Sequence, residues 1–404
     1  MYNFILTYNC FICIILITSK KVGDIMFKTY KFRMYPNNNQ SILINKTFGC
    51  VRFVYNYFLN KCRINNYLKS TDMCNELNQL YIEYPFLNEV DSCSLRCAIF
   101  NLEDSFKNYI AKRCNYPYFK NKFSKQSFKI NAFRSSYKGN NHCNIEIYKD
   151  INKIKLPKIG LVSIKGYRNL NKIDGKIINA TIEKETTGKY YVSVVVEIKD
   201  KEVTKKEPAN IVGIDLGIKD LAVLSDGTKY SNPKELSKRL KQIKRLQRKL
   251  ARQVNHSKNY NKTKVKLARL HSKIKNGRKH NIIKIVNEIV KNYDCIVSEN
   301  LNVQGMNKNH IIAKSIMDAS FYKICEMIKW KTKIQRKYYY QVDTYYPSSK
   351  ICNHCGYKTE ITTDLNVRNW ECPICGNLND RDINASLNIM FEGLKIHYLK
   401  TING

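Results

Sequence analysis

Residues 350–386 read KICNHCGYKTEITTDLNVRNWECPICGNLNDRDINAS. Within this stretch Cys352-x2-Cys355 and Cys372-x2-Cys375 form two Cys-x2-Cys knuckles separated by sixteen residues. Paired knuckles at that separation can bring four thiolates tetrahedrally around one Zn2+. Gly356 and Gly376 each follow the second cysteine of a knuckle, where a residue without a Cβ relieves the tight turn. The competing reading, four unrelated core cysteines, has to explain the same spacing twice. With all four positions filled by protein, the expected zinc is structural rather than catalytic. His354, inside the first knuckle, reads as a surface residue and not a ligand.

Working outward, Asp382 follows the second knuckle closely, at the start of a predicted helix in Asp380-Arg-Asp-Ile-Asn-Ala-Ser, with Asp380 as a near competitor for any role it has. Two further acids stand at the ends of short apolar strands. Asp215 closes Ile211-Val-Gly-Ile-Asp-Leu-Gly, and Glu299 closes Cys295-Ile-Val-Ser-Glu-Asn-Leu. A carboxylate at the end of a buried strand is costly unless it is paired or bound to a cation. Three of them together would repel one another and attract hard divalent cations. Two Mg2+ ions about 3.5–4 Å apart would suit phosphodiester hydrolysis. Taken singly, each acid reads equally well as a cap or an ion-pair partner, and spacing alone does not decide between these.

The charge balance points to a polyanionic partner. The 404 residues carry 70 Lys and Arg against 33 Asp and Glu, a formal net charge of +37. Such an excess opposes a compact chain by self-repulsion unless it is neutralised. The polar composition favours nucleic acid over an anionic membrane. The excess is concentrated: residues 234–280 hold eighteen Lys or Arg and one acid, Glu235. A solvated helix face normally mixes both signs. Here Lys238, Arg239, Lys241, Lys244, Arg245, Arg248, Lys249 and Arg252 line a helix opposite Leu236, Leu240, Ile243, Leu246 and Leu250, and are expected to contact phosphates. Ser231-Asn232-Pro233 is expected to cap that helix. A second helix carries Leu267, Leu270 and Ile274.

The remaining pattern outlines several domains. Residues 27–35 read as a strand. Helical periodicity runs from Gln40 to about Lys112, with Phe48, Val51, Tyr55 and Phe58 as a core stripe. From about Ser127 to Lys199 short alternating strands follow, among them Ile145–Tyr148, Ile154–Leu156, Leu161–Ile164 and Tyr190–Ile198, consistent with a small barrel or sandwich. Residues 200–208 read as a charged linker. Ile211–Asp215, Leu221–Leu224 and Thr228–Tyr230 form a predicted meander with a turn at Asp226-Gly227. One helix is expected over Ile316–Lys337, and a strand near Tyr340–Tyr345.

Fifteen cysteines, an odd number in a long chain with four at metal spacing, argue for a reducing cytoplasm rather than a disulfide scaffold. Residues 4–17 are apolar but short for a membrane span, which takes roughly 20 residues. They also lack a signal-peptide cleavage pattern. Codons for Val22-Gly23-Asp24 can carry a bacterial ribosome-binding sequence ahead of Met26. Residues 1–25 are therefore read as a mis-assigned start or a tail, and no membrane partner is expected.

From about Met26 to Met390 the chain resembles TnpB, the OrfB-type protein of bacterial insertion sequences, a compact relative of the type V CRISPR effectors. The resemblance rests on Tyr30-Lys-Phe-Arg-Met-Tyr-Pro, Phe48-Gly-Cys-Val-Arg-Phe-Val-Tyr-Asn, Gly213-Ile-Asp-Leu-Gly, Ser298-Glu-Asn-Leu-Asn-Val, Pro347-Ser-Ser-Lys-Ile-Cys and Asp380-Arg-Asp-Ile-Asn-Ala, in that order. It departs at Ser386, where Ala is commoner, and at Arg278-Lys-His280, which lacks an acid that often follows. The resemblance implies an α+β multidomain chain with a RuvC/RNase H-like nuclease core (207–349 and 378–397) and an inserted zinc ribbon (350–377). Ahead of these it implies a β-barrel wedge domain (26–37 and 118–206) with an inserted helical recognition lobe (38–117). Asp215, Glu299 and Asp382 would be the Mg2+-binding catalytic triad. A guide RNA from the element's end and target double-stranded DNA would be the partners, base pairing reading sequence while protein reads shape and a short motif. A transposase acting without RNA, or a relative that binds without cutting, are the alternatives.

Overall fold

The computed structural model describes residues 25–402, leaving out 65–66, 138–139, 167–169, 171–172, 200–206, 307, 309–312 and 365. The expectations for residues 1–24 and for most of the 200–208 linker therefore lie outside the described residues. Two compact units divide the chain, one up to Glu202 and one from Val203.

In the first unit, β1 (Ile25–Tyr35) precedes α1 (Asn38–Ile64), α2 (Ser70–Glu83) and α3 (Ser92–Ile110). The strands that follow are β2 (Gln126–Asn131), the hairpin β3–β4 (Arg134–Tyr137, Asn140–Cys143), β5 (Glu146–Tyr148), β6 (Lys153–Leu156), β7 (Gly160–Lys165), β8 (Lys176–Lys184) and β9 (Tyr190–Lys199). Seven of the strands form one antiparallel sheet in the order β2-β8-β9-β1-β7-β6-β5. Period-two alternation supplies its inner face: Tyr30, Phe32 and Met34 on β1 and Val192, Val194 and Val196 on β9 are all buried. The α1 stripe of Phe48, Val51, Tyr55 and Phe58 is buried as its spacing predicts, and Phe48 meets Phe128 of β2 edge-on at 5.3 Å. Helices and sheet thus share one continuous core. Among the described residues no ladder joins the sheet's outer strands β2 and β5.

The second unit is built on five strands: β10 (Ile211–Asp215), β11 (Asp220–Leu224), β12 (Lys229–Ser231), β13 (Cys295–Glu299) and β14 (Tyr338–Val342). Their order is β12-β11-β10-β13-β14, antiparallel from β12 to β10 and parallel from β10 to β14. The parallel strands read as continuous apolar runs because both faces are covered. Val212, Ile214 and Ile296 pack towards α5 (Lys258–Asn292) and α8 (Phe321–Ile334), whereas Cys295 and Val297 share a cluster with Ile389 of α9 (Arg381–Ile402). The close approach of α9 explains Gly213. A Cβ there would stand 2.0 Å from the Ser386 carbonyl oxygen and 2.7 Å from the Met390 nitrogen. Ser386 is itself fully buried, and its hydroxyl is satisfied by the Ile383 carbonyl at 2.8 Å, so the extra oxygen fits where Ala would.

Two local expectations are corrected. The stretch expected as one helix over 316–337 is broken at Ser320, whose φ of 59° ends α7 (Ala313–Ala319) before α8 begins. The helix expected to be capped by Ser231-Asn232-Pro233 is α4 (Glu235–Ala251), and its cap comes from elsewhere. Lys234 takes a left-handed conformation, and the buried Asp318 carboxylate of α7 accepts from the Leu236 amide at 3.1 and 3.0 Å and from Arg278 Nε at 2.7 Å. A carboxylate at the positive end of a helix and beside a guanidinium satisfies three otherwise costly groups at once.

Candidate metal centres and nucleic-acid interface

Parallel pairing brings the first two acids together. Ile214 of β10 is in register with Ser298 of β13, so the next residues, Asp215 and Glu299, emerge side by side at the carboxyl ends of adjacent strands. Open α/β sheets place their ligands at this edge. Asp382 lies one turn before Ser386, which sits against Gly213, and so reaches the same edge from the first turn of α9. Burial, reinforced by the Glu299 and Asp382 carboxylates, pushes the Asp215 carboxyl up to about 8, against the opposing pull of Arg381 and the Leu216 amide. Glu299 is also raised by burial, partly offset by Ser348 Oγ, which donates to its Oε1 at 2.5 Å. Asp382 is held by Arg368 Nη1, 3.2 Å from both carboxylate oxygens. Asp380 is committed elsewhere: it binds Lys229 Nζ at 2.6 Å and caps α9 by accepting from the Asp382 and Ile383 amides. Burial works against its ionisation, but Lys229 and those amides hold its carboxyl below the ordinary value. The sequence competitor for the third position is thus the N-cap of the helix that carries Asp382.

The four cysteines converge. Their sulfurs all lie within 4.8 Å of one another, with Cys352 and Cys375 at 3.8 Å and Cys355 and Cys372 at 3.6 Å. Four sulfurs about 2.3 Å from a tetrahedral zinc would stand about 3.8 Å apart, so the donor set fits zinc in chemistry and in span. The two knuckles repeat one local structure. The Gly356 amide bonds the Cys352 carbonyl and the Gly376 amide bonds the Cys372 carbonyl, each at 2.9 Å. Both glycines have positive φ, 77° and 68°, as their place in the knuckle requires. His354 is exposed and Asn379 Nδ2 lies 3.8 Å from Cys352 Sγ. Among the described residues these cysteines are the one group of potential ligands closing to that spacing, the three carboxylates being set wider.

Sequence reasoning passed over the residues that join the two centres. Asn384 and Asn388, one turn apart on α9, face the chain entering the first knuckle. Asn384 accepts from the Asn353 amide at 2.9 Å and donates to the Ile351 carbonyl at 2.7 Å. Asn388 donates to the carbonyls of Ile351 at 2.6 Å and Ser348 at 2.8 Å. Ser348, Arg381 and Asn384 all fall inside stretches already marked by their order along the chain, but nothing local in the sequence distinguishes them from their neighbours.

The basic helix separates its residues. α4 packs on α5 through Leu236, Ile243, Leu246, Leu267, Leu270 and Ile274. Lys238, Lys241, Lys244, Arg245, Arg248, Lys249 and Arg252 are exposed on its other side. Arg239 differs: it is half-buried and paired with Glu235 one turn back.

Comparison with known proteins fits this architecture. A family model described as "Probable transposase" (OrfB of the IS605 type) matches residues 193–310, and one described as "Cas12f1-like, TNB domain" matches 321–389. A protein of Streptomyces pristinaespiralis named "Putative RNA-guided DNA endonuclease" is 31% identical over 376 residues, spanning 91% of this chain and 89% of the relative. The chain belongs to the TnpB (OrfB) family. A second relative, "Putative RNA-guided DNA endonuclease InsQ" of Escherichia coli strain K12, is 29% identical over 388 residues, covering 91% of this TnpB-family chain and 92% of that protein. The fold is shared with the protein solved as the "Cas12f1-sgRNA-target DNA complex", at a TM-score of 0.53 and 13% identity over 91% of this chain and 99% of the other. A further model, described as a helix-turn-helix domain, matches residues 26–67. In this TnpB-family chain the described residues of that range up to Ile64 lie mostly in the strand β1 and the single long helix α1. Among the described residues no helix is long and apolar enough to cross a membrane.

Proposed function

We propose that this TnpB-family chain is an RNA-guided DNA endonuclease that hydrolyses phosphodiester bonds with divalent metal ions. Convergence of Asp215, Glu299 and Asp382 on one edge of the sheet carries the proposal. Carboxylates gathered on one sheet edge, Asp215 and Glu299 among them desolvated, fit hard cations by their donor chemistry. Bound there, two Mg2+ ions would lower the pKa of an attacking water and offset charge on the leaving oxygen. The chain's own residues arrange the acids: Ser348 fixes Glu299, Arg368 fixes Asp382, and Arg381 offsets the charge of Asp215. We read residues 207–349 and 378–397 as a RuvC/RNase H-like nuclease core and 350–377 as a ribbon holding one structural Zn2+. Residues 26–37 and 118–206 are read as a wedge domain and 38–117 as a recognition lobe. The exposed cations of α4 would hold phosphates.

The test is to express the full chain with the DNA of its element, sequence the RNA that co-purifies, and offer a duplex matching that RNA. One dominant RNA and cleavage that requires Mg2+ and is lost in Asp215→Ala are expected. Cleavage at an unchanged rate by Asp215→Ala would overturn the triad assignment. Absence of any specific RNA would favour a transposase acting without one.

A further inference from the structure

Between α3 and β2 the chain runs YIAKRCNYPYFKNKFSK, residues 109–125. These seventeen residues hold five aromatics, five Lys or Arg and no acid. All five rings are exposed: Tyr109 at 42%, Tyr116 at 38%, Tyr118 at 71%, Phe119 at 42% and Phe123 at 54%. Each ring keeps part of its surface open to water, most of all Tyr118 and Phe123, and so forgoes part of the burial it could supply. The loop is nonetheless firmly built. Asn56 of α1 accepts from the Lys120 amide and donates to the Lys120 carbonyl, both at 2.8 Å. Asn121 Oδ1 accepts from the amides of Phe123 at 2.9 Å and Ser124 at 3.0 Å. Pro117 is buried beneath. Arg63 of α1 lies over the rings of Phe119, at 4.5 Å, and Tyr116, at 5.5 Å, and Tyr109 meets Tyr116 at 5.2 Å.

We propose that residues 109–125 with Arg63 form a base-stacking surface for an unpaired stretch of RNA. Stacking on rings accepts any base, and interleaved cations match the phosphates between bases. Fixing the loop in advance lowers the ordering cost of binding. The proposal rests on the RNA-guided reading above, which also selects the occupant. A guide RNA is bound before its target and carries unpaired bases at that stage, whereas duplex DNA offers none until it is opened. A resident RNA would keep the rings covered through most of the protein's working cycle.

Ultraviolet cross-linking of the full chain with its co-purified RNA, followed by mass spectrometry of the cross-linked peptides, tests this. Cross-links at Tyr116, Tyr118 or Phe123 are expected without DNA. RNA cross-links confined to other segments, such as α4, would overturn the surface while leaving the RNA-guided reading standing. Cross-links in 109–125 only to a DNA strand, after target is added, would overturn RNA as the occupant. No co-purifying RNA would overturn the RNA-guided reading and this proposal with it. The double variant Tyr118→Ala/Phe123→Ala gives a second measurement, against labelled oligouridine. Affinity should fall about tenfold for each ring removed. The melting midpoint should hold, because both rings are exposed. Unchanged affinity in a normally folded variant would overturn the proposal.

Discussion

Ser348 Oγ donates a hydrogen bond to Glu299 Oε1 at 2.5 Å, while the Ser348 carbonyl accepts from Asn388 Nδ2 at 2.8 Å. One residue thus ties a strand-end acid to the helix that bears Asp382. Burial raises the Glu299 carboxyl, and the serine hydroxyl is the group that favours its charged form. Ser348→Ala should leave that carboxylate harder to ionise and free to rotate. Hydrogen bonds to charged groups contribute about 1.5–3 kcal/mol, so cleavage should slow by roughly one to two orders of magnitude, partly recovered at high Mg2+. Ser348→Thr keeps the donor and should retain most activity. Equal rates for Ser348→Ala and wild type across a Mg2+ titration would show that this hydrogen bond does not serve the reaction.

The second prediction concerns the ribbon. Cys352→Ser removes a buried sulfur that Asn379 also faces, and should lower bound zinc from near one per chain and destabilise residues 350–377. Because Asn384 and Asn388 hold the chain entering this knuckle, loosening should spread to Ser348. Asn388→Ala, which among the described residues leaves the Ile351 carbonyl with one side-chain donor and the Ser348 carbonyl with none, should cost about 1–3 kcal/mol without touching any of the four cysteines. Zinc content measured beside the melting midpoint separates the two variants. Full zinc content in Cys352→Ser would remove the four-cysteine site.

How much of this was legible beforehand depended on the range of the interaction. The knuckles are local: cysteine spacing and the glycine after each pair determine them, and both appear in the structure as read. The strand-end acids are semi-local, since apolar runs ending in Asp or Glu announce buried strands but not their pairing. The β10–β13 register that sets Asp215 beside Glu299 is a property of the sheet. The cap on α4 was illegible, because Asp318 lies 82 residues beyond the amide it serves. Ser320 breaks a helix without any glycine or proline to announce it: its backbone turns left-handed while its amide still bonds the Ile316 carbonyl at 3.0 Å and its hydroxyl the Met317 carbonyl at 3.1 Å. Ser348 and Asn388 have no periodicity and no spacing rule, and only the fold shows what they touch.

A third prediction follows from the charge on Asp215. Its carboxyl sits at about 8 in the folded chain against an ordinary 3.8, so between those values the folded chain holds more protons than the unfolded one. Stability without metal should therefore fall as pH rises through that window. Saturating Mg2+ should flatten the dependence by pairing the ionised form. Asp215→Asn should abolish cleavage yet raise the metal-free melting midpoint above pH 8, by about 2–4 °C for each kcal/mol of repulsion relieved. Calorimetry in EDTA across pH checks this. A midpoint that rises with pH in the wild-type chain would contradict it.

The last prediction separates neighbours on α4. Lys238, Lys241, Lys244, Arg245, Arg248 and Lys249 are exposed, whereas Arg239 is paired with Glu235 and partly covered. If the exposed row binds phosphate, each phosphate that a cation neutralises adds about 0.9 to the steepness of log affinity against log salt on duplex DNA. Replacing Lys241, Lys244 and Lys249 by Gln should then make that dependence shallower by up to about 2.7, with a uniform fall in affinity across sequences. Arg239→Gln should act differently, because its ion pair sits on the first turn of the helix that Asp318 caps. It should lower the melting midpoint slightly and leave the salt slope unchanged. Titrations at several salt concentrations, with melting curves alongside, distinguish the two. A triple variant with the wild-type slope would mean that this face of α4 meets water rather than nucleic acid.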